Sequence, residues 1–523
     1  MDQNRLPLNV QSFTKLRTEN YIYVDKTEYI WNIIHRYNAC ILNRPRRFGK
    51  SLLVSTLESY FKGEKDLFEG TAIAKLEKDW KVYPVIRFSF ASGEYSALDG
   101  LRNILNSVLD TAIEEYHLDL QKDLSVVVKF RSILRALYKK TGNRVVVLVD
   151  EYDKPMLDNM FTNKELEEKN RELYRQFFSA LKDQDDYIQF VFFTGVTKFN
   201  KISIFSDLNQ LKDISMLEDI NGICGITEDE LLNNFQPEIN NLARKLKLTV
   251  DECKKKLAQM YDGYRFSETG EGIYNPVSLF NSFNDGQLGM YWFETGTPTL
   301  LIRQLQKSNI AIEDFNDGIQ VLRTYLMNYR SDQNDLIPLF YQSGYLTIKN
   351  YDSDLDIITL AFPNEEVKDG FLNVLLDYVL GDNDQVKGNS TMNFVIDLKL
   401  GKIESFMNKL QSLFAGIPYD RNSMKYEHEW RDQIYIIFSL LGQRVSCEVH
   451  SAKGRADCIV ETESFVYIFE FKVDQSAELA LKQIEEKKYS SPYRSGLKKI
   501  YKVGVQFSSV NHNIENWIAE KDN

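Results

Sequence analysis

Two sets of residues near opposite ends of this 523-residue sequence have the types and spacing that suit chemistry on phosphate. The first closes the stretch ILNRPRRFGKSLL, residues 41–53. Gly49, Lys50 and Ser51 fill the end of G-x-x-x-x-G-K-[ST]. In that pattern backbone N–H groups and a helix N-terminus cradle phosphates, the Lys reaches the outer ones and the hydroxyl holds Mg²⁺. Arg44 stands where the first glycine belongs, so the pattern is incomplete, and G-K-S after a basic turn also reads as an ordinary surface helix start. A second stretch, RVVVLVDEYDKP at 144–155, is a β-branched run ending in acids, as a buried parallel strand does. At its carboxyl end Asp150 would coordinate Mg²⁺ through water, and Glu151 would orient and deprotonate an attacking water. The competing reading is a core strand followed by a charged turn. A third stretch, YIQFVFFTGVTKF at 187–199, ends in Thr194 and Thr197, which are either γ-phosphate sensors or plain strand-end threonines.

The second set lies in the last hundred residues. Glu470 and Lys472 in FVYIFEFKV share one face of a strand, because alternate residues point the same way. Asp457, on its own short strand, is placed to join them at a hairpin end. Two carboxylates and a lysine suit phosphodiester hydrolysis: Asp457 and Glu470 would hold Mg²⁺, while Lys472 positions the water or stabilises the charged transition state. In front of them, YEHEWRDQIYIIFSLLG (426–442) reads as a helix with Trp430, Ile434, Ile437, Phe438 and Leu441 in one apolar stripe. Glu427 shares that stripe and Glu429 does not, so Glu427 is expected to complete the metal's outer shell. A lone D…E-x-K pattern is common; the helix acid before it and a helix with Gln483 and Tyr489 after it add weight.

The elements that must position these groups follow from hydrophobic periodicity. Ala39 to Leu42 and KSLLVSTLESYF read as strand and helix around the loop. With VYPVIRFSF (82–90), four apolar strands alternate with helical segments, which predicts a parallel α/β sheet. From Ser215 to Phe283 the pattern is mainly helical, with a capping Thr in ITEDELLNNF, and suits a lid over a nucleotide. Tyr264 and Tyr274 there read as packing residues. DLIPLFYQSGYLTI (335–348) predicts a helix that breaks at Gly344 into a strand, and LDIITLAFPNEEV supplies a second strand. This is a winged-helix-like pattern whose acidic tip, NYDSDLD, is unsuited to phosphate contact, so packing between domains is its expected job.

RPRRFGKS, LNVQSFTKLRTENYIYVDKTEYI, VVLVDEYDKP and FTGVTKFNKISIFSDLNQLKDIS together resemble the AAA-ATPase-like family of bacterial proteins with a C-terminal nuclease-like domain. The resemblance covers nearly the whole chain, and it implies that Arg44 marks a lineage form of the phosphate loop. By direct match Lys50, Ser51, Asp150 and Glu151 inherit the nucleotide roles; Arg46 and Arg47 are either phosphate contacts or solvated surface. GRADCIVETESFVYIFEFKVDQSAELALKQIEEKKY resembles the PD-(D/E)xK nuclease superfamily. That match puts Gln483 and Tyr489 in an accessory motif and Gly454 and Arg455 in the turn before Asp457. The implied ligands are ATP and Mg²⁺.

The expected architecture is α/β: a P-loop domain at 1–214, a helical lid at 215–300, a winged-helix-like region at 301–380, a helical linker at 381–424 and a restriction-endonuclease-like domain at 425–523. A hydrophobic content of 43% supports several ordered domains. No apolar run suits a membrane span or a secretion signal, and the five scattered cysteines fit neither a zinc site nor a disulfide framework, so the cytoplasm is expected. The net charge of −11 gives no global attraction to nucleic acid, and charges nearly balance in the last domain. Arg455, Lys482, Lys487 and Lys488 form either a local basic groove or a solvated face. The leading expectation is an ATPase coupled to a Mg²⁺-dependent nuclease domain acting on DNA or RNA, with a homo-oligomer left open. The rival is a nucleotide-regulated interaction protein with a catalytically silent nuclease fold.

Overall fold

The computed structural model describes residues 5–121, 123–160, 162–198, 210–294, 301, 305, 310, 314–327, 336–380, 390–415, 429–442, 446–449, 457–494, 496–511 and 513–522. The chain forms two compact units, Met1–Leu300 with Gly318–Val367, and Leu301–Asp317 with Lys368–Asn523.

The first unit is built on five parallel strands: β1 (Ala39–Asn43), β2 (Val85–Ser89), β3 (Val145–Asp150), β4 (Ile188–Gly195) and β5 (Lys212–Asp213). Their order in the sheet is β2-β3-β4-β1-β5. The four expected strands are present; the two-residue β5 is too short to leave a periodic signal. Every residue of β1 and β3 is buried, as strands covered on both faces require. Register places the carboxyl ends of β1, β3 and β4 side by side, with Asn43 opposite Gly195 and Asp150 opposite Thr194. Parallel neighbours need crossovers, which the helices Lys50–Phe61, Gly100–Glu115, Val126–Thr141 and Lys164–Asp183 help to supply. Helices between Glu228 and Asp285 form a second core around Phe235, Leu257 and Phe283, and Leu6, Leu8, Ile22 and Val24 from the N-terminal segment pack onto it.

The winged-helix-like pattern is observed as the helix Ile337–Ser343, ended by Gly344, and the antiparallel strands β6 (Ile319–Leu322), β7 (Thr347–Asp352) and β8 (Ile357–Ala361). These belong to the first unit, so the stretch 301–380 is shared between the two units.

The second unit carries β9 (Ser446–Val449), β10 (Cys458–Glu461), β11 (Phe465–Val473), β12 (Lys499–Ser508) and β13 (Asn513–Asp522) in the order β13-β12-β11-β10-β9. Only β11 and β12 are parallel, joined through the helix Ala477–Glu486, whose Leu481 and Ile484 pack on Val466, Ile468 and Ile500. The helix expected at 426–442 is described over Glu429–Gly442. Ile434 to Phe438 are all buried, so this stretch is covered on every side rather than along one stripe. Glu427 itself lies outside the described residues, as do Gly454 and Arg455.

Candidate functional sites

At the end of β1 the chain turns through Arg44 to Phe48 and enters the helix Lys50–Phe61 at Gly49, whose φ of 92° is one that side-chain-bearing residues rarely adopt. The Lys50 side chain is 5% exposed and its Nζ donates to the Pro45 carbonyl at 2.9 Å. Burial pulls this ammonium below the ordinary lysine range, opposed by the charges of Glu151, Asp153 and Asp150. A cavity of about 400 Å³ is lined by Arg46, Arg47, Gly49, Lys50, Ser51 and Glu151, together with Pro7, Leu8, Val10, Ile22, Val24, Pro276, Val277 and Phe280. A pocket lined both by apolar side chains and by Arg46, Arg47 and Lys50 has the chemistry and size for a nucleotide. Asp150 and Thr197 are buried at the tips of β3 and β4 and are not among the lining residues. Oδ1 of Asp150 and Oγ1 of Thr197 have no hydrogen-bond partner, while Oδ2 of Asp150 lies 3.8 Å from Arg87. Thr194 instead donates to the Leu42 carbonyl at 2.9 Å, which is a structural role.

Arg44 does not occupy the place of a missing glycine passively. It is 1% exposed, donates to the carbonyls of Asn43, Ser215 and Ile220 at 3.0, 2.7 and 3.3 Å, and lies 4.1 Å from the ring centroid of Phe266. Burial pulls its guanidinium down to about 10. Phe266 in turn meets Phe48 edge-on, so Arg44 ties the loop from behind. Tyr264 packs against the same Phe48, and the Tyr274 hydroxyl donates to Glu228 at 2.5 Å, both as expected of packing residues.

In the second unit Asp457 stands just before β10 and accepts the Phe471 N–H at 2.8 Å, which brings it beside Glu470. Glu470 is 1% exposed; its Oε1 accepts from Lys472 at 3.1 Å and from the Gln483 amide, and its Oε2 has no hydrogen-bond partner. The Gln483 carbonyl oxygen accepts from Lys472 at 2.7 Å, so Gln483 bridges the acid and the lysine. Burial raises the Glu470 carboxyl to about 7, helped by the Asp457 charge and opposed by Lys472. The buried Tyr489 hydroxyl is pushed up by burial, opposed by Gln483 and helped by the charges of Glu470 and Asp457. Asp457, Glu470, Lys472, Gln483 and Tyr489 are thus brought together. Among the described residues no group of three or more His, Cys, Asp or Glu is placed to hold a metal ion. The donor set nonetheless fits Mg²⁺, which takes one or two carboxylates and keeps its remaining positions for water and phosphate. Lys482 pairs with Glu486 at 3.6 Å, and Lys487 and Lys488 are exposed.

Sequence reasoning missed Asp153, whose buried carboxylate caps the tip of β4, and the N-terminal wall of the cavity. Alternating Leu8 and Val10 carried a signal for the wall; a carboxylate in a charged turn carried none for Asp153.

Residues 7–205 match the family model described as predicted AAA-ATPase, and residues 425–517 match that of the PD-(D/E)XK nuclease superfamily. The chain belongs to this family of AAA-ATPase-like proteins with a C-terminal PD-(D/E)XK domain. Over 534 aligned residues it is 34% identical to an Azotobacter chroococcum mcd 1 protein named "Uncharacterized protein in vnfD 5'region", with 99% of each chain covered. Among solved structures, Aeropyrum pernix Orc1 in complex with DNA overlays weakly, at 9% identity and a TM-score of 0.25 over 66% of this chain and 90% of that one. Cdc6p of Pyrobaculum aerophilum gives 12% identity and a TM-score of 0.24 over 70% and 93%. Among the described residues no helix is long and apolar enough to cross a membrane.

Proposed function

We propose that this chain hydrolyses ATP at the loop around Lys50 and cleaves nucleic acid, DNA or RNA, with Mg²⁺ at the Asp457–Glu470 site, in the cytoplasm. One observation carries both halves: Asp150 Oδ1 and Glu470 Oε2 are buried carboxylate oxygens without a protein partner, and each acid lies close to a lysine of its site. A buried carboxylate oxygen without a hydrogen bond costs free energy that a bound cation would recover.

At the first site Lys50 would leave the Pro45 carbonyl for the outer phosphates, Arg46 and Arg47 would add positive charge and Thr197 would sense the γ-phosphate. Glu151 would orient the attacking water. Ser51 and Asp150 would hold Mg²⁺, and Asp457 and Glu470 a second one; when bound, the ion neutralises charge developing on phosphate oxygens. At the second site Lys472 would stabilise the transition state, Gln483 would hold Glu470 and Lys472 in register, Tyr489 would face the phosphate and Glu427 would complete the outer shell.

The test is purified protein assayed for ATP hydrolysis with and without DNA, beside Mg²⁺-dependent cleavage of plasmid, linear, single-stranded and RNA substrates. Lys50→Ala should abolish ATP binding in calorimetry, whereas Glu151→Gln should preserve binding and slow hydrolysis. Unchanged affinity in Lys50→Ala removes the nucleotide reading. Absence of cleavage in every condition removes the nuclease reading.

A further inference from the structure

Glu151 has a φ of 55°, a left-handed backbone that a non-glycine residue keeps only when its surroundings enforce it. The three residues after it supply the enforcement. The Tyr152 N–H donates to the Thr194 carbonyl at 3.1 Å and its hydroxyl to the Thr197 carbonyl at 2.8 Å. Asp153 is buried, and a single oxygen, Oδ2, accepts the N–H groups of both Val196 (2.9 Å) and Thr197 (2.6 Å). The Lys154 N–H closes the turn on the Glu151 carbonyl at 3.1 Å. At Gly195 an added Cβ would come within 2.4 Å of Asp153 Oδ1, so this close approach admits only glycine. Thr197, held on both its N–H and its carbonyl, keeps a buried hydroxyl with no protein partner.

We infer that Asp153, with Tyr152, is a positioning residue that clamps the tip of β4 to the turn after β3, holding Glu151 and Thr197 in one register toward the terminal phosphate of ATP. The inference rests on the proposed nucleotide site and goes beyond it. Of these four residues only Glu151 lines the cavity, so the clamp acts through Glu151 directly and through the buried Thr197 held in register with it. Because both backbone bonds go to one oxygen, a carboxamide can replace the carboxylate: the clamp needs an acceptor at that point and not a negative charge.

The experiment compares the full chain with Asp153→Ala, Asp153→Asn and Tyr152→Phe for ATP hydrolysis, and for ATP and ADP affinity by calorimetry. Asp153→Ala should lower kcat about tenfold or more and should reduce the preference for ATP over ADP, with KM rising in step with the lost ATP affinity and ADP affinity unchanged. Asp153→Asn keeps the acceptor and removes only the charge that Asp153 sets near Lys50, so it should keep the parent's preference for ATP over ADP within about threefold. If Asp153→Ala does not fold, Tyr152→Phe carries the test, with smaller changes in kcat and ATP affinity in the same direction. Parent-like kcat and ATP preference in Asp153→Ala overturn the clamp, as does an equal loss of that preference in Asp153→Asn. With Asp153→Ala unfolded, parent-like behaviour of Tyr152→Phe overturns it too. A parent that binds no ATP overturns the nucleotide site and the clamp together; a parent that hydrolyses ATP while the variants do so equally well overturns the clamp alone.

Discussion

Glu470 combines deep burial with two donors on one oxygen and none on the other, and its carboxyl is raised to about 7 from an ordinary 4.5. A carboxyl raised on folding binds its proton more tightly in the folded state. Its contribution to stability is fully present below about pH 4.5 and is lost as pH rises through about 7. Thermal unfolding of the metal-free chain should therefore move to lower temperature across that window. Glu470→Gln, which fixes a neutral side chain, should flatten this part of the profile, and Mg²⁺ above pH 7 should stabilise the parent and not the variant. Identical pH slopes in the two proteins would show that Glu470 is not the titrating group. The same local detail gives Gln483 a more specific place than an accessory motif supplies, because it touches both Glu470 and Lys472.

At the scale of elements, the phosphate loop is held by what surrounds it. Its front is fixed by the N–H of Gly225 donating to the Phe48 carbonyl at 3.0 Å and by the indole of Trp292 donating to the Arg46 carbonyl at 3.0 Å. Its back is fixed by Arg44. Arg44→Gly would complete the sequence pattern, yet it should destabilise the first unit by about 3 kcal/mol or more, since it strips buried carbonyls of a charged donor and leaves a void. The measurement is chemical denaturation of Arg44→Gly beside Arg46→Gly, which removes an exposed side chain and should cost well under 1 kcal/mol of stability. Equal midpoints would mean that Arg44 contributes nothing as a tie. The β3–β4 tips behave likewise: register brings Asp150 opposite Thr194, and the bonds from Tyr152 and Asp153 then fix the turn that carries Glu151.

Across the whole molecule the two proposed activities lie in separate compact units. Saturating ATP with Mg²⁺ should stabilise the first unit by mass action, about 2.7 kcal/mol at a hundredfold excess over Kd. This gain, read as a thermal shift, should vanish in Lys50→Ala and persist in Asp457→Asn; loss in both would place nucleotide binding elsewhere. The sequence by itself determined the four main parallel strands, the turn around Lys50 and the pairing of Glu470 with Lys472. Those features are written in runs of a few neighbouring residues, where apolar periodicity and strand alternation act directly. It did not determine the burial of Arg44, the clamp of Asp153, the N-terminal wall of the cavity or the covering of Ile434 to Phe438 on every side. Each of those depends on groups far apart in the chain, such as Arg44 with Ser215 and Ile220, or Leu8 with the core around Phe235 and Phe283. A charged residue in a local window reads as solvated surface, and only tertiary contacts supply the carbonyls and N–H groups that make its burial favourable.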